Sequence, residues 1–316
     1  MRIVSLLASA TEIVCALGAG EMLVGRSHEC DNPEWVRRLP ACSAPAFDVS
    51  VSSQEIDAEV RRRLRSGEPL YHIHSELIRN LRADLLITQS HCEVCAVTPG
   101  DIERSGACAS PARQVALSAS SLEEVFQGVL RIARELGLEE RGEAVVRRER
   151  ERLDKVREKT ASLRPPTVVM VEWTDPLFAM GNWGPELVEI ANGELLLGDK
   201  GKHSAAIPSE HLRDADPEFL IVAPCGFNLE RSLQEQAVLE RYPWWCDLQA
   251  VRTGNVAFAD GNLLFNRSGM TISQTAEVIA EILHGISFGG STEGVHWRRI
   301  ETSAKRDSRR MSVSRS

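Results

Sequence analysis

The stretch DLLITQSHCEVCAV, which ends at Val97, carries a histidine and two cysteines directly after an apolar run. Cys92 and Cys95 have the C-x-x-C spacing that redox-active and metal-binding cysteines share. A structural zinc site needs four ligands and usually a second close cysteine pair, which the sequence lacks. Imidazole and thiolate both suit late transition metals, so His91 and the two cysteines are also candidate contacts to a ligand-bound metal. The third interpretation is that the cysteines are small buried side chains that pack a tight loop.

Similar loops follow several other predicted strands. In open α/β sheets, ligands bind beyond the carboxyl ends of the strands. The loops at those ends are GRSHECDNP, QSHCEVCAV, EWTDPLFAMGNWGPE, PCGFN and ADGNLLFNRSG, which together combine aromatic residues with Cys, His, Asp and Glu. Their equivalent positions indicate one shared site. Candidate ligand-binding residues in these loops are His28, Glu29, His91, Cys92, Glu93, Cys95, Cys225 and Asp260.

Short apolar runs alternate with helical patterns along the chain, which predicts an α/β fold class. RIVSLL and MLVGRS are typical of strands, and SATEIVCALG between them predicts a helix capped by Ser9 and closed by Gly18. TVVMVEW, EFLIVAP and NVAFAD repeat the strand pattern in the second half of the chain. The predicted organisation is an N-terminal α/β lobe at 1–118, a helical connector at 119–164, a C-terminal α/β lobe at 165–285 and a disordered tail at 286–316.

Composition narrows the class of protein further. The chain is 43% hydrophobic and 26% charged, as soluble globular proteins are, and its net charge of −8 argues against nucleic acid or an anionic membrane as a partner. Eight cysteines are too few for a disulfide scaffold, which favours reduced thiols in a cytosolic setting. The apolar run near the first residue is too short for an export signal, and bulky Val14 before Cys15 disfavours lipid attachment. We therefore expect a cytoplasmic protein, or a periplasmic one if the start codon is misplaced.

Familiar catalytic motifs are missing from the sequence. It contains no G-x-S-x-G elbow, no H-E-x-x-H motif, no phosphate-binding P-loop and no G-x-G-x-x-G after a strand. A nucleophile pair can be drawn from His28 or His91 with Cys92, but no third orienting group stands out. We predict a binding protein rather than an enzyme. The alternative is a cytosolic metal- or thiol-dependent enzyme that uses the Cys92/Cys95 loop.

From RIVSLLASATEIVCALG to FNRSGMTISQTAEVIAEILH, the chain resembles the helical-backbone (class III) substrate-binding proteins of ABC importers for vitamin B12 and iron-siderophores. SHECD, TQSHCEVCAV, EWTDPLF and PCGFN most resemble the subgroup of cobalamin-binding proteins. The resemblance implies two Rossmann-like lobes joined by one long backbone helix, with the ligand cleft between the lobes. It implies a corrinoid of the cobalamin type as ligand and no catalytic cofactor. An iron-siderophore or haem is the alternative within the same fold.

The resemblance also assigns roles to residues. His91, Cys92 and Cys95 become candidate contacts to the cobalt of a corrinoid, although zinc and redox roles stay open. Glu76 and Glu189 match the surface glutamates with which such receptors dock on an ABC permease, or they are ordinary charges on helix surfaces. A monomer is expected. The residues that match the lining of the ligand site are Trp173, Asp175, Phe178, Trp183, Phe227, Phe265 and Arg267.

Overall fold

The computed structural model describes residues 1–92, 94–106 and 112–300. The chain forms two compact units. Unit 1 comprises Met1–Arg152 and Arg267–Ser273, and unit 2 comprises Leu153–Asn266 and the residues from Gln274 onward. Both contain parallel strands interspersed with helices, so the predicted α/β fold class is confirmed. None of the helices in the described part of the chain combines the length and the apolarity that a bilayer crossing requires.

Unit 1 is built on a parallel sheet with the strand order β2-β1-β5-β6. All residues of its central strands β1 and β5 are buried, as their apolar sequences predict. Strands β3 and β4 pair separately and antiparallel. The strands of this unit are β1 (Ile3–Ser5), β2 (Leu23–Arg26), β3 (Ser43–Pro45), β4 (Tyr71–Ile73), β5 (Leu85–Gln89) and β6 (Arg113–Leu117).

The helices in this part of the chain are α1 (Ala8–Ala16), α2 (Ser53–Ser66), α3 (Ser75–Asn80), α4 (Pro99–Arg104), α5 (Leu122–Leu136) and α6 (Glu139–Thr160). The N-cap of helix α1 lies two residues before the predicted Ser9, because Leu7 occupies the N-cap position and Ser9 is buried inside the first turn. Helix α5 begins after Ser121, whose hydroxyl accepts a hydrogen bond from the Glu124 amide, and it ends at Gly137 in the left-handed conformation.

The predicted connector at 119–164 consists of two helices with different environments. Helix α5 buries the apolar stripe that includes Val125, Phe126 and Val129, and it packs against α1 within unit 1. The division between the units falls inside α6, between Arg152 and Leu153. Residues 119–152 of the predicted connector are therefore part of unit 1, where the amphipathic face of α5 supplies core contacts.

Unit 2 contains a mixed sheet with the strand order β10-β8-β7-β11-β12-β13, and β9 also pairs with β7. Strands β7, β11 and β12 are parallel neighbours, whereas β8, β10 and β13 run antiparallel to their partners. The strands are β7 (Thr167–Thr174), β8 (Leu177–Ala179), β9 (Glu194–Leu197), β10 (Ala205–Ala206), β11 (Phe219–Val222), β12 (Val256–Ala259) and β13 (Trp297–Arg299). The helices are α7 (Gly184–Ile190), α8 (Ser209–Ala215), α9 (Leu229–Gln234), α10 (Gln236–Leu239), α11 (Gln249–Thr253) and α12 (Ile272–His284).

The predicted disordered tail is wrong for residues 286–300. Strand β13 adds to the edge of the sheet beside β12, and the Trp297 side chain is 3% exposed. The Glu281 carboxylate of α12 accepts hydrogen bonds from Ser291 Oγ, from the Thr292 amide and hydroxyl, and from Trp297 Nε1. One buried carboxylate and one buried indole therefore order a segment whose low apolar content suggests disorder. Residues 301–316 lie outside the described residues.

Candidate functional site

The loops after β2 and β5 are joined at one edge of the unit 1 sheet. His28 follows β2, and its Nδ1 lies 2.9 Å from Ser43 Oγ. The His28 ring packs on the Tyr71 ring with a centroid distance of 5.5 Å, and the Tyr71 hydroxyl donates a hydrogen bond to the Val94 carbonyl. Because β2 and β5 flank β1 in a parallel sheet, their carboxyl ends meet at this edge. The histidine and cysteine loops are thus brought together, as the sequence predicts.

Tyr71 was not among the predicted site residues, although it precedes His72 and His74 in YHIHS. The structure places both histidines on the exposed side of this segment, and Tyr71 is the residue that contacts His28. Strand alternation explains the difference, because neighbouring residues of a strand point to opposite faces. The alternation of Tyr71 and Ile73 with His72 and His74 in YHIHS was the available signal, because it puts the two apolar residues on one face of the strand.

Burial shifts the titration of His28 and Glu29 in opposite directions. Burial, aided by the nearby Arg26 charge, lowers the pKa of His28 to about 4, so its imidazole is neutral at pH 7. The Glu29 side chain is 36% exposed, yet desolvation of its carboxyl raises the pKa to about 7, against the opposing effect of Arg267. A neutral imidazole offers a lone pair for hydrogen bonds or for a metal.

The two thiols of the C-x-x-C segment lie in contact, with 2.9 Å between Cys92 Sγ and Cys95 Sγ. Gln89, the fully buried last residue of β5, holds this turn. Its Oε1 accepts from the amides of His91 and Cys92 at 3.1 and 2.9 Å, and its Nε2 donates to the carbonyls of Cys92 and Ala96. Cys92 is 6% exposed and Cys95 is half-buried. The predicted Glu93 lies outside the described residues.

Arg267 lies in a buried charge cluster of unit 1. Its Nη1 donates to Glu12 Oε1 at 2.8 Å and its Nη2 to Asp31 Oδ1 at 2.6 Å. Asn32 Nδ2 also donates to Glu12 Oε1, at 3.0 Å. Arg267 is 5% exposed and Glu12 is 3% exposed, so this guanidinium is already engaged by two carboxylates. The predicted ligand contact of Arg267 stays a prediction. A ligand at this position has to compete with Glu12 and Asp31.

An aromatic pair lies where the parallel strands of unit 2 end. The Trp173 and Phe227 rings have centroids 5.2 Å apart and an interplanar angle of 53°. Trp173 Nε1 donates to the Asp175 carbonyl at 3.1 Å, and the Arg231 guanidinium lies 4.6 Å from the Phe227 ring centroid. Arg231 was missed by the sequence analysis because nothing in NLERSL distinguishes it from a surface arginine. Trp173 and Asp175 are both half-buried, so they remain accessible to a ligand.

Other predicted residues of unit 2 secure the loops around this pair. Asp260 Oδ1 accepts from the amides of Asn262 and Leu263 at 3.0 and 2.8 Å, which caps the π-helical turn Gly261–Phe265. The Asn262 amide also donates to the Phe227 carbonyl at 2.9 Å. The carboxylate of Asp260 therefore positions backbone, and the aromatic pair is tied to the end of β12.

The exposed fraction of each remaining candidate side chain shows whether it can contact a ligand or packs in the core. Phe178 on β8 and Cys225 after β11 are half-buried, whereas Trp183 and Phe265 are 5% and 1% exposed. The buried Trp183 Nε1 has no hydrogen-bond partner among the described residues. Phe265 contributes packing in this structure, and Phe178 and Cys225 lie open enough to contact a ligand. Their ligand-binding roles stay predictions.

The two glutamates of the predicted docking surface are exposed. Glu76 lies in the first turn of α3, and Glu189 lies near the end of α7 with Lys200 Nζ 2.7 Å from its Oε2. Exposed carboxylates of this kind are accessible to arginines of a partner. Their docking role stays a prediction.

Comparisons with known proteins give a family and a fold. A profile of the family described as periplasmic binding protein matches residues 3–263. A periplasmic heme-binding protein from Pseudomonas aeruginosa is 20% identical, with a TM-score of 0.71 over 95% of this chain and 98% of that chain. A periplasmic vitamin B12-binding protein from Vibrio cholerae is also 20% identical, with a TM-score of 0.63 over 89% and 96%. A possible iron-binding, periplasmic solute-binding protein from Staphylococcus epidermidis is 17% identical, with a TM-score of 0.66 over 90% and 98%. The search of curated proteins found no match.

Proposed function

The chain belongs to the periplasmic binding protein family, and from this premise we propose that it is a non-enzymatic protein that binds a corrinoid of the cobalamin type. The observation that carries the proposal is the Trp173/Phe227 pair at the strand ends of unit 2. The half-buried Trp173 ring offers apolar surface to a flat macrocycle, and Phe227, which is 7% exposed, packs against it and holds it in place. Burial of the Trp173 surface against a ligand drives binding.

Charge around the aromatic pair favours a corrinoid over other macrocycles. Asp175 follows Trp173 just beyond the end of β7 and is half-buried, and a carboxylate accepts hydrogen bonds from the amide side chains of a corrinoid. The propionates of a haem are anionic, and neighbouring carboxylates repel them. The loops of unit 1 supply His91, Cys92 and Cys95 as the proposed contacts to cobalt.

A haem is the second candidate. The Pseudomonas aeruginosa protein of similar fold is described as heme-binding, and Arg231 over Phe227 is a cation that favours a propionate. The two candidates therefore differ in the charge that they place beside Arg231 and Asp175.

The test is a titration of the purified, reduced protein with aquocobalamin, cyanocobalamin and haem, followed by visible spectroscopy and calorimetry. We expect both cobalamins to bind with one-to-one stoichiometry. A spectral shift for aquocobalamin alone means that a protein side chain replaces the water on cobalt, and His91→Ala, Cys92→Ser and Cys95→Ser identify it. Stoichiometric binding of haem without binding of either cobalamin contradicts the corrinoid proposal.

A matched pair of tryptophan variants locates the site. Trp173→Ala should weaken cobalamin binding by about 10- to 100-fold, because aromatic anchors contribute on the order of 1.5–3 kcal/mol. Trp244→Ala is the control, since Trp244 is also half-buried in unit 2 but stacks on Tyr242 with centroids 4.9 Å apart. Equal affinities of the two variants remove the aromatic pair from the site.

We also propose that the protein serves an ABC importer and docks on its permease through Glu76 and Glu189. In the native host, Glu76→Lys should lower vitamin B12 uptake, because it reverses the charge offered to an arginine of the permease. Cobalamin binding by the purified variant should match that of the unmodified protein. Unchanged uptake assigns Glu76 to the helix surface. The location of the protein stays a prediction, and docking on an importer corresponds to its periplasmic alternative.

A further inference from the structure

The C-x-x-C turn of unit 1 has a geometry that binding of a macrocycle does not require. The Sγ atoms of Cys92 and Cys95 are 2.9 Å apart. Two thiolates on one tetrahedral zinc ion stand about 3.8 Å apart, as follows from Zn–S bonds of about 2.3 Å. The two sulfurs are therefore closer than a shared zinc ion places them, and they need to approach by less than about 1 Å to form a disulfide.

Backbone amides also hold the Cys92 sulfur in this turn. Cys92 Sγ accepts hydrogen bonds from the amides of Val94 and Cys95, with distances of 3.4 and 3.3 Å. These two hydrogen bonds fix the position of Cys92 Sγ beside Cys95 Sγ. Gln89 fixes the backbone on both sides of this turn through its buried side-chain amide. The contact between the thiols is thus held by protein hydrogen bonds.

The two thiols differ in exposure. The more exposed thiol can attack an external disulfide first, and the buried thiol can then resolve the mixed disulfide. Cys95 is half-buried and faces reagents first, whereas Cys92 is 6% exposed and lies directly behind it. A buried resolving thiolate next to an accessible thiol is the arrangement that converts a mixed disulfide into an internal one.

We propose that Cys92 and Cys95 form a reversible internal disulfide by exchange with a small-molecule disulfide, R–S–S–R. The Cys95 thiolate attacks one sulfur of R–S–S–R, which forms a mixed disulfide and releases one RS⁻. The Cys92 thiolate then attacks Cys95 Sγ, which forms the Cys92–Cys95 bond and releases the second RS⁻. The two protons of the cysteine thiols end on the two RSH products. The protein pair is oxidised by two electrons and the small disulfide is reduced by two.

The experiment equilibrates the full chain in buffers of reduced and oxidised glutathione, quenches with acid, alkylates, and reads the Cys92–Cys95 peptide by mass spectrometry. We expect this peptide to lose two hydrogens, reversibly, as the fraction of oxidised glutathione rises. Cys246→Ser is the control, because Cys246 is exposed in unit 2 and takes no part in the exchange. Persistent alkylation of both thiols in fully oxidised glutathione overturns the proposal.

Single serine variants test the order of the two steps. Cys92→Ser removes the resolving thiol, so a glutathione adduct should accumulate on Cys95. Cys95→Ser should form at least about tenfold less adduct on Cys92, because burial limits access to a thiol. Equal adduct on the two variants contradicts the assigned order. One zinc ion bound by the unmodified protein and lost in both variants assigns the pair to a metal and overturns the disulfide.

The variant Gln89→Glu tests whether Gln89 positions the two thiols for disulfide formation. The variant loses the side-chain N–H donors to Cys92 and Ala96, so the turn that holds the two sulfurs loosens. We expect the midpoint of oxidation to require about tenfold more oxidised glutathione, because the effective concentration of one thiol near the other falls. Circular dichroism shows whether the variant is folded, and Gln127→Glu on the exposed face of α5 is the matched control. An unchanged midpoint in folded Gln89→Glu removes Gln89 from the positioning role.

Discussion

Loops at the carboxyl ends of parallel strands occur in both units, but they carry different chemistry. In unit 1 the residues after β2 and β5 are charged or hold thiols, and they are engaged by other groups of the unit, such as Asp31 by Arg267 and the cysteine turn by Gln89. In unit 2 the corresponding edge presents Trp173 beside Phe227. In both units, parallel strands end at one edge of the sheet. The sequences of the loops that follow determine whether that edge carries a polar network or an aromatic surface.

The strand-end loops of the two units also contribute differently to folding stability and to ligand binding. Polar groups in the loops of unit 1 contribute to folding, because a buried charge is costly unless it is paired. The half-buried Trp173 ring in unit 2 contributes little to folding relative to its capacity to bury ligand surface. We therefore expect substitutions at the unit 1 edge to change unfolding, and substitutions at the unit 2 edge to change affinity.

The largest expected effect is that of Arg267→Met. The variant removes the cation that pairs with the buried Glu12 carboxylate, and it leaves Asp31 with the more distant Arg37, whose Nη2 lies 3.6 Å from Asp31 Oδ2. Loss of the buried pair should lower the free energy of unfolding by about 3–5 kcal/mol. Urea unfolding followed by circular dichroism measures the loss. Arg213→Met is the control, because Arg213 pairs with Asp214 at 2.8 Å on the surface and should change stability by less than about 1 kcal/mol. If the two variants are equally stable and Arg267→Met alone loses cobalamin, Arg267 serves the ligand.

A second expected effect concerns the segment after α12. Glu281→Ala removes the acceptor shared by Ser291, Thr292 and Trp297, and should cost about 2–3 kcal/mol, because hydrogen bonds to a buried charge are strong. Limited proteolysis should then cleave between residues 286 and 300. Glu158→Ala, an exposed change on α6, is the control. Resistance of Glu281→Ala to protease means that strand pairing with β12 alone orders the segment.

The smallest expected effect is a change in the pH dependence of stability. The folded pKa of Glu29, about 7, lies above its usual 4.5, so its contribution is present at low pH and is lost as the pH rises through 7. The folded pKa of His28, about 4, lies below its usual 6.5, so its contribution is present above pH 6.5 and is lost as the pH falls through 4. Between pH 5 and 6 the two slopes oppose each other.

A substitution of either Glu29 or His28 should leave the pH dependence of stability that the other residue causes. Glu29→Gln should make stability rise with pH between 5 and 6, and His28→Gln should make it fall. Each slope is below about 1.4 kcal/mol per pH unit, the limit for one proton, because solvent screens the partly exposed Glu29 carboxyl. Thermal unfolding at several pH values measures both. Parallel profiles for the two variants contradict the opposed shifts.

Features of the fold that depend on residues close in sequence could be predicted from the sequence. Apolar runs located the strands, and the chemically distinctive loops fell at the ends of β2, β5, β7, β11 and β12 as expected. The ion pair of Glu12 and Arg267 could not be predicted from the sequence. It joins positions 255 residues apart, and each residue alone is typical of a surface charge. The order of residues 286–300 was missed for a related reason. It depends on the Glu281 carboxylate, whose helix position gives no sign of the donors that follow.

The return of Arg267–Ser273 to unit 1 has a consequence for the chain as it is being made. A ribosome delivers Glu12 and Asp31 long before it delivers the arginine that neutralises them, so the N-terminal unit stays incomplete until most of the protein has emerged. The last segments of unit 2 leave the ribosome almost at the same time. Nascent chains stalled before residue 267 should be cut by protease within the first 152 residues, and chains released after it should resist.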